Sequence, residues 1–157
     1  MKSAQFFIAL LGLMSSSARG FEPWVDPLPI PQRLVVSPVQ QELTIRMQEF
    51  VSQIHRDLPE TKQWGYEGST PGPTIEVESG QKLRVHWVNE LPETHFLPKP
   101  AGDMAEPGTP DVRTVVHLHG AAVEQSATTD KLHNNDGWPD LWFVRGEKQI
   151  AEYPNLQ

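Results

Sequence analysis

Residues 42–49 alternate apolar and polar positions, with Leu43, Ile45 and Met47 on one parity and Thr44, Arg46 and Gln48 on the other. A period of two marks a β-strand with one buried face, because successive side chains point to opposite sides of a sheet. The same alternation predicts strands over residues 74–78 and 82–89. In the second of these, Leu83, Val85 and Trp87 form the core face and His86 faces solvent. Ser79-Gly80-Gln81 separates the two runs as a tight turn, which predicts that they pair side by side and antiparallel. Residues 50–56 are ambiguous: Val51 and Ile54 fit a helical turn, while the alternation also carries on to His55.

Between these runs the chain is punctuated by turn formers. Residues 64–73 (Trp-Gly-Tyr-Glu-Gly-Ser-Thr-Pro-Gly-Pro) read as a turn region, and residues 91–111 as a long loop rich in Pro and Gly. A loop of that length in a small domain is uncommon unless it has a function. Residues 121–135 are polar and irregular and lead into the turn sequence Asn134-Asn135-Asp136-Gly137-Trp138-Pro139-Asp140. Toward the start, Pro23, Pro27, Pro29, Pro31 and Pro38 exclude a regular helix or central strand from residues 21–40, which are expected as an extended arm ordered by docking. No repeat, heptad pattern or helix beyond about two turns is found, and short strands joined by Gly/Pro turns point to an all-β sandwich or barrel.

The chemistry concentrates at His117-Leu118-His119-Gly120, which ends the apolar run Val112-Arg113-Thr114-Val115-Val116. On a strand both imidazoles point the same way, about 6–7 Å apart at the backbone for a rise of roughly 3.3 Å per residue. That spacing allows one shared metal ion or two adjacent ones. The remaining histidines have no such partner nearby in sequence: His55 precedes Arg56-Asp57, His86 sits at a solvent-side strand position, and His133 lies among Lys131, Asn134 and Asn135.

Composition narrows the metal chemistry. The 157 residues contain no cysteine, so thiolate ligands, Cys-based zinc sites and thiol catalysis are excluded within them, and imidazole, carboxylate and water remain as donors. Imidazole-rich sites suit copper, zinc, iron or nickel. A formal charge of −7 argues against a nucleic-acid surface. Lys2, the apolar run 6–14 and the small residues of Ser15-Ser16-Ser17-Ala18-Arg19-Gly20 read as a secretory leader over residues 1–20. Such a run is too short for the ~20 residues a membrane span needs. Export without a membrane anchor is therefore expected, with residues 41–157 as the folded domain.

Several motifs occur in a telling order. Trp64-Gly65-Tyr66, Pro71-Gly72-Pro73-Thr74-Ile75-Glu76-Val77, Gly80, Asn89-Glu90-Leu91-Pro92 and Thr94-His95-Phe96-Leu97-Pro98 are followed by Val115-Val116-His117-Leu118-His119-Gly120 and Asp136-Gly137-Trp138-Pro139. Together they resemble the first cupredoxin domain of a multicopper oxidase, nearest to the bacterial spore-coat laccase branch with its bilirubin-oxidase-like and phenoxazinone-synthase-like enzymes. Val25-Asp26-Pro27-Leu28-Pro29-Ile30-Pro31 and His55-Arg56-Asp57-Leu58-Pro59 fit the same branch.

This resemblance implies a Greek-key, plastocyanin-like β-sandwich, incomplete at its C-terminus. It implies that His117 binds the type 2 copper and His119 one of the type 3 pair of a trinuclear cluster, each ring held through its second nitrogen. Asp136 matches an acidic residue that helps protons reach oxygen; the alternative is an Asx-turn residue capping its own loop. His95 matches no ligand and is expected to be structural. The family's further His-x-His and His-Cys-His segments are not among these residues. The chain is accordingly expected to be the amino-terminal part of an exported laccase-like enzyme, inactive alone and with an unpaired sheet edge. Oxygen and a small aromatic reductant would be the full enzyme's partners, and further cupredoxin domains would complete its copper sites. Two other classes remain open at this point: a stand-alone copper-binding module using His117, His119 and His133, and a cupin-like mononuclear metal enzyme.

Overall fold

A computed structural model describes residues 20–98, 108–121, 123 and 135–156. The expected leader, apart from Gly20, and His133 lie outside the described residues, as do parts of the segments expected to be irregular at 91–111 and 121–135. Six strands make up the regular structure: β1 (Arg33–Val35), β2 (Glu42–Ser52), β3 (Thr61–Tyr66), β4 (Thr74–Glu76), β5 (Leu83–Asn89) and β6 (Lys148–Tyr153). There is no helix among the described residues.

The alternation of β2 is realised as read: Ile45 and Met47 are buried, and Thr44 and Arg46 are exposed. The ambiguous stretch after it continues as strand to Ser52, because β3 runs antiparallel beside it from Met47–Tyr66 to Ser52–Thr61. The Gln53 side chain then closes the connection by donating to the carbonyls of Arg56 and Leu58 at 3.0 and 2.9 Å. β3 itself was hidden in the sequence. Trp64-Gly65-Tyr66 belongs to a strand and not to the turn expected there, and the reversal begins only at Glu67 and Gly68, both at positive φ. Gly65 is needed in the strand because the Ser69 carbonyl occupies the place of a side chain.

β4 and β5 do not pair as expected. β4 lies parallel to β1 in a two-stranded sheet, while β5 sits between β2 (parallel) and β6 (antiparallel) in a sheet of order β3-β2-β5-β6. The connection at 79–81 carries the chain from one sheet to the other. Gly80 takes φ +81° and donates to the Asn155 carbonyl at 2.7 Å, and Gln81 Nε2 donates to the Ser37 and Gln40 carbonyls. Ile75 and Val77 thereby face Leu83 and Val85 across one core that also holds Val36, Ile45, Ala151 and Tyr153. Alternation identified the buried faces at Ile45, Met47, Leu83 and Val85; it carries no information on which strand is the hydrogen-bonded neighbour. A second cluster of Met47, Leu91, Val112, Val116 and Phe143 lies beneath the His-bearing segment. In the four-stranded sheet, β3 and β6 are the outer strands.

The proline-rich arm turns at Pro23-Trp24, forms β1 at Arg33–Val35, and is held near its start against His55 and Arg56. Asp26 accepts from the backbone N–H and Nε of Arg56, both at 2.9 Å, and Arg56 Nη2 also donates to the Val25 carbonyl. His55 Nε2 donates to the Glu22 carbonyl at 3.0 Å, and its ring meets that of Phe21 at 5.3 Å. His86 is also less solvent-facing than expected. Its side chain is only 18% exposed, with Nε2 at 3.6 Å from a carboxylate oxygen of Glu42.

Candidate metal centre

The segment leading to His117 is extended, but it is not the regular strand expected. Only Thr114 forms a ladder contact, exchanging backbone hydrogen bonds with Phe143 at 3.0 and 2.9 Å. Beyond it a side chain replaces the missing strand. Buried Gln149, on β6, accepts from the Val116 N–H at 2.9 Å and donates to the Val116 carbonyl at 2.6 Å and the Asn135 carbonyl at 2.8 Å. A buried primary amide is tolerated there because its donors and acceptor are spent on backbone groups that would otherwise be orphaned. With Val112 and Val116 inserted in the core, the chain then rises to the surface at His117 and His119.

The two rings stand on the same side, with centroids 6.2 Å apart and planes inclined by 75°. His117 Nδ1 lies 3.0 Å from Oδ2 of Asp136 and 3.2 Å from the Asp136 carbonyl, which leaves Nε2 as the ring nitrogen that Asp136 does not engage. Asp136 is buried. Its other oxygen, Oδ1, accepts from the Leu118 N–H at 3.0 Å and the Tyr153 hydroxyl at 3.1 Å. Burial, with the adjacent Asp136 charge, pushes the Tyr153 hydroxyl far above the ordinary phenol value, so it is present as a donor.

Asp136 and its neighbour divide the labour that the sequence left open. The turn is closed by Asn135, whose Oδ1 accepts from the Trp138 N–H at 3.0 Å, while the contacts of Asp136 reach across to residues 117, 118 and 153. Gly137 follows at φ +79°, and a side chain there would overlap the Cβ of His117. Glycine therefore lets the two segments approach closely enough for the His117–Asp136 contact.

The other described histidines are placed differently. His55 anchors the arm. His95 accepts from the Leu97 N–H through Nδ1 at 3.0 Å and packs edge-on against Trp64 with centroids 4.6 Å apart. Sequence reading missed Gln149 and the part played by Tyr153. The signal was present in Lys148–Tyr153, where Gln149, Ala151 and Tyr153 share the buried parity. A polar residue at core parity must bring its own partners.

The donor chemistry suits copper in part. An outward imidazole whose second nitrogen is held by a buried carboxylate is the usual arrangement of a metal-binding histidine. Among the described residues no three His, Cys, Asp or Glu side chains converge.

The family model for multicopper oxidases matches residues 51–98, a stretch that does not include the two histidines. A laccase of Bacillus stratosphericus is 42% identical over 153 residues, covering 87% of this chain and 28% of that protein. A laccase of Bacillus subtilis (strain 168) is 41% identical over 152 residues, with the same coverage of 87% and 28%. The chain thus spans little more than a quarter, 28%, of the length of these relatives. A multi-copper oxidase from Pediococcus acidilactici, whose structure is solved, superposes with a TM-score of 0.57 at 22% identity, over 84% of this chain and 23% of that one. The shared fold is the cupredoxin-type β-sandwich.

Proposed function

The chain belongs to the multicopper oxidase family, and from that premise we propose that His117 and His119 are two imidazole ligands of a copper centre in a longer, exported laccase-like oxidase. In that enzyme oxygen is the acceptor, and phenol-like substrates give up electrons in parts of the protein outside these residues. Bound copper supplies the redox chemistry. The chain's own residues supply binding and orientation: His117 and His119 present their rings together, and Asp136 holds His117 at Nδ1. On the family pattern, Asp136 would also help protons reach oxygen. Export rests on the leader pattern of residues 1–20, and the N-terminal sequence of the secreted protein tests it.

The observation that carries the reading is the juxtaposition of the two rings at 6.2 Å with the carboxylate 3.0 Å behind one of them. Titration of the purified chain with copper(II), followed by electron paramagnetic resonance, tests it directly. Copper binding is expected, with a loss of about tenfold or more in affinity for His117→Ala and for His119→Ala. Equal uptake by the double variant would overturn the assignment. Added copper is not expected to produce laccase-type turnover from the chain by itself. Turnover would place the electron-accepting site within these residues and contradict the reading.

A further inference from the structure

The buried groups behind His117 form a chain whose direction is dictated by donor and acceptor chemistry. Trp87 Nε1 lies 3.3 Å from the Tyr153 hydroxyl oxygen, and an indole N–H can only donate. The phenol oxygen therefore accepts from Trp87, and its single proton is left for Asp136 Oδ1 at 3.1 Å. The same oxygen takes the Leu118 N–H at 3.0 Å. Two donors on Oδ1 pin the carboxylate plane and turn Oδ2 toward His117 Nδ1 at 3.0 Å. The Asp136 backbone carbonyl, 3.2 Å from the same nitrogen, can only accept, so the ring proton sits on Nδ1.

We infer that Tyr153 is a positioning residue of the metal centre: with Trp87 behind it, it orients Asp136 so that His117 is held as the Nδ1–H tautomer and shows the lone pair of Nε2 to the outside. Only the usefulness of that lone pair rests on the copper reading; the tautomer is a property of the chain without metal. Apart from the Leu118 N–H, the groups that set it are distant in sequence: Asp136 lies 19 residues from His117, Tyr153 17 residues beyond Asp136, and Trp87 66 residues from Tyr153.

Long-range proton–nitrogen correlation spectra of the nitrogen-15-labelled, metal-free chain test this at a pH of about 8, above the ordinary imidazole range. For His117 the expected result is a protonated Nδ1 and an unprotonated Nε2. Tyr153→Phe keeps the ring in the core and is expected to shift His117 toward a mixture of tautomers and to weaken copper(II) binding about tenfold. Trp87→Phe, which removes the donor that turns the phenol, is expected to shift His117 the same way by less; it serves as the second variant if Tyr153→Phe does not fold. A wild-type His117 protonated on Nε2 would overturn the inference. So would His117 nitrogen shifts unchanged in a folded Tyr153→Phe chain. Loss of the Nδ1–H tautomer in Tyr153→Phe, with copper uptake indifferent to His117→Ala, would uphold the inference and sink the copper assignment instead.

Discussion

His55 and His117 are both imidazoles beside an aspartate, and they differ in what is left over. His55 spends both nitrogens: Nδ1 accepts from the Asp57 N–H at 3.1 Å, and Nε2 donates to the Glu22 carbonyl at 3.0 Å. His117 spends one, Nδ1, on Asp136, and its side chain remains 53% exposed against 17% for His55. The first is a clasp between the arm and the end of β2, with Phe21 against its face. The second is an exposed imidazole backed by a buried carboxylate, the arrangement that the copper proposal uses. Residue type and a neighbouring acid do not separate these roles; the number of ring nitrogens already engaged does.

The comparison can be broken most severely from beneath His117. Gln149→Leu leaves the Val116 N–H and the Val116 and Asn135 carbonyls without their partner, which is expected to cost about 3 kcal/mol in a denaturant-unfolding measurement. Gly137→Ala combines a positive φ with overlap on His117 and is expected to cost about 2 kcal/mol by the same measurement, with copper(II) affinity falling alongside.

Asp136→Asn sharpens the comparison with little change in shape. If the amide oxygen keeps the Leu118 and Tyr153 donors, its N–H faces His117 Nδ1, which must then be unprotonated. The ring proton is expected on Nε2, visible in the nitrogen spectra, and copper(II) affinity is expected to fall about 10–100-fold. His55→Ala should leave copper binding unchanged and loosen only the arm, detected as faster proteolysis within residues 21–31.

The smallest expected effect is acid release of that arm. The Arg56 backbone N–H, and then its guanidinium, hold the Asp26 carboxyl below its ordinary value of 3.8. The docking contribution is therefore complete above that value and is lost as pH falls through the lowered one. Proteolysis of the arm that rises only below about pH 4 is the expected outcome, and a rise with its midpoint near neutrality would contradict the role given to Asp26.

How much was legible follows from which interactions are local. The alternation of Leu43-Ile45-Met47 and of Leu83-Val85 identified two strands and their buried faces. The two-residue spacing of His117 and His119 put both rings on one side. β3 was not legible, because Thr61-Lys62-Gln63 offers no apolar alternation and its strand state comes from pairing with β2. The partner of β5 was not legible either, since a two-sheet arrangement and a hairpin bury the same residues. For Asp136 the sequence left a turn cap and a functional carboxylate equally open, and the structure shows Asn135 closing the turn.

The sequence by itself determined the all-β class, the absence of thiolate chemistry in these residues and the presentation of two imidazoles on one side, because parity and composition are properties of the chain at short range. Only the tertiary structure decided which sheet each strand joins, that a glutamine side chain stands in for a strand, and which nitrogen of His117 is engaged. The partners that settle these points lie up to 66 residues away along the chain, and hydrogen-bond direction is fixed only once a donor-only indole, a phenol and a carboxylate have been brought into line.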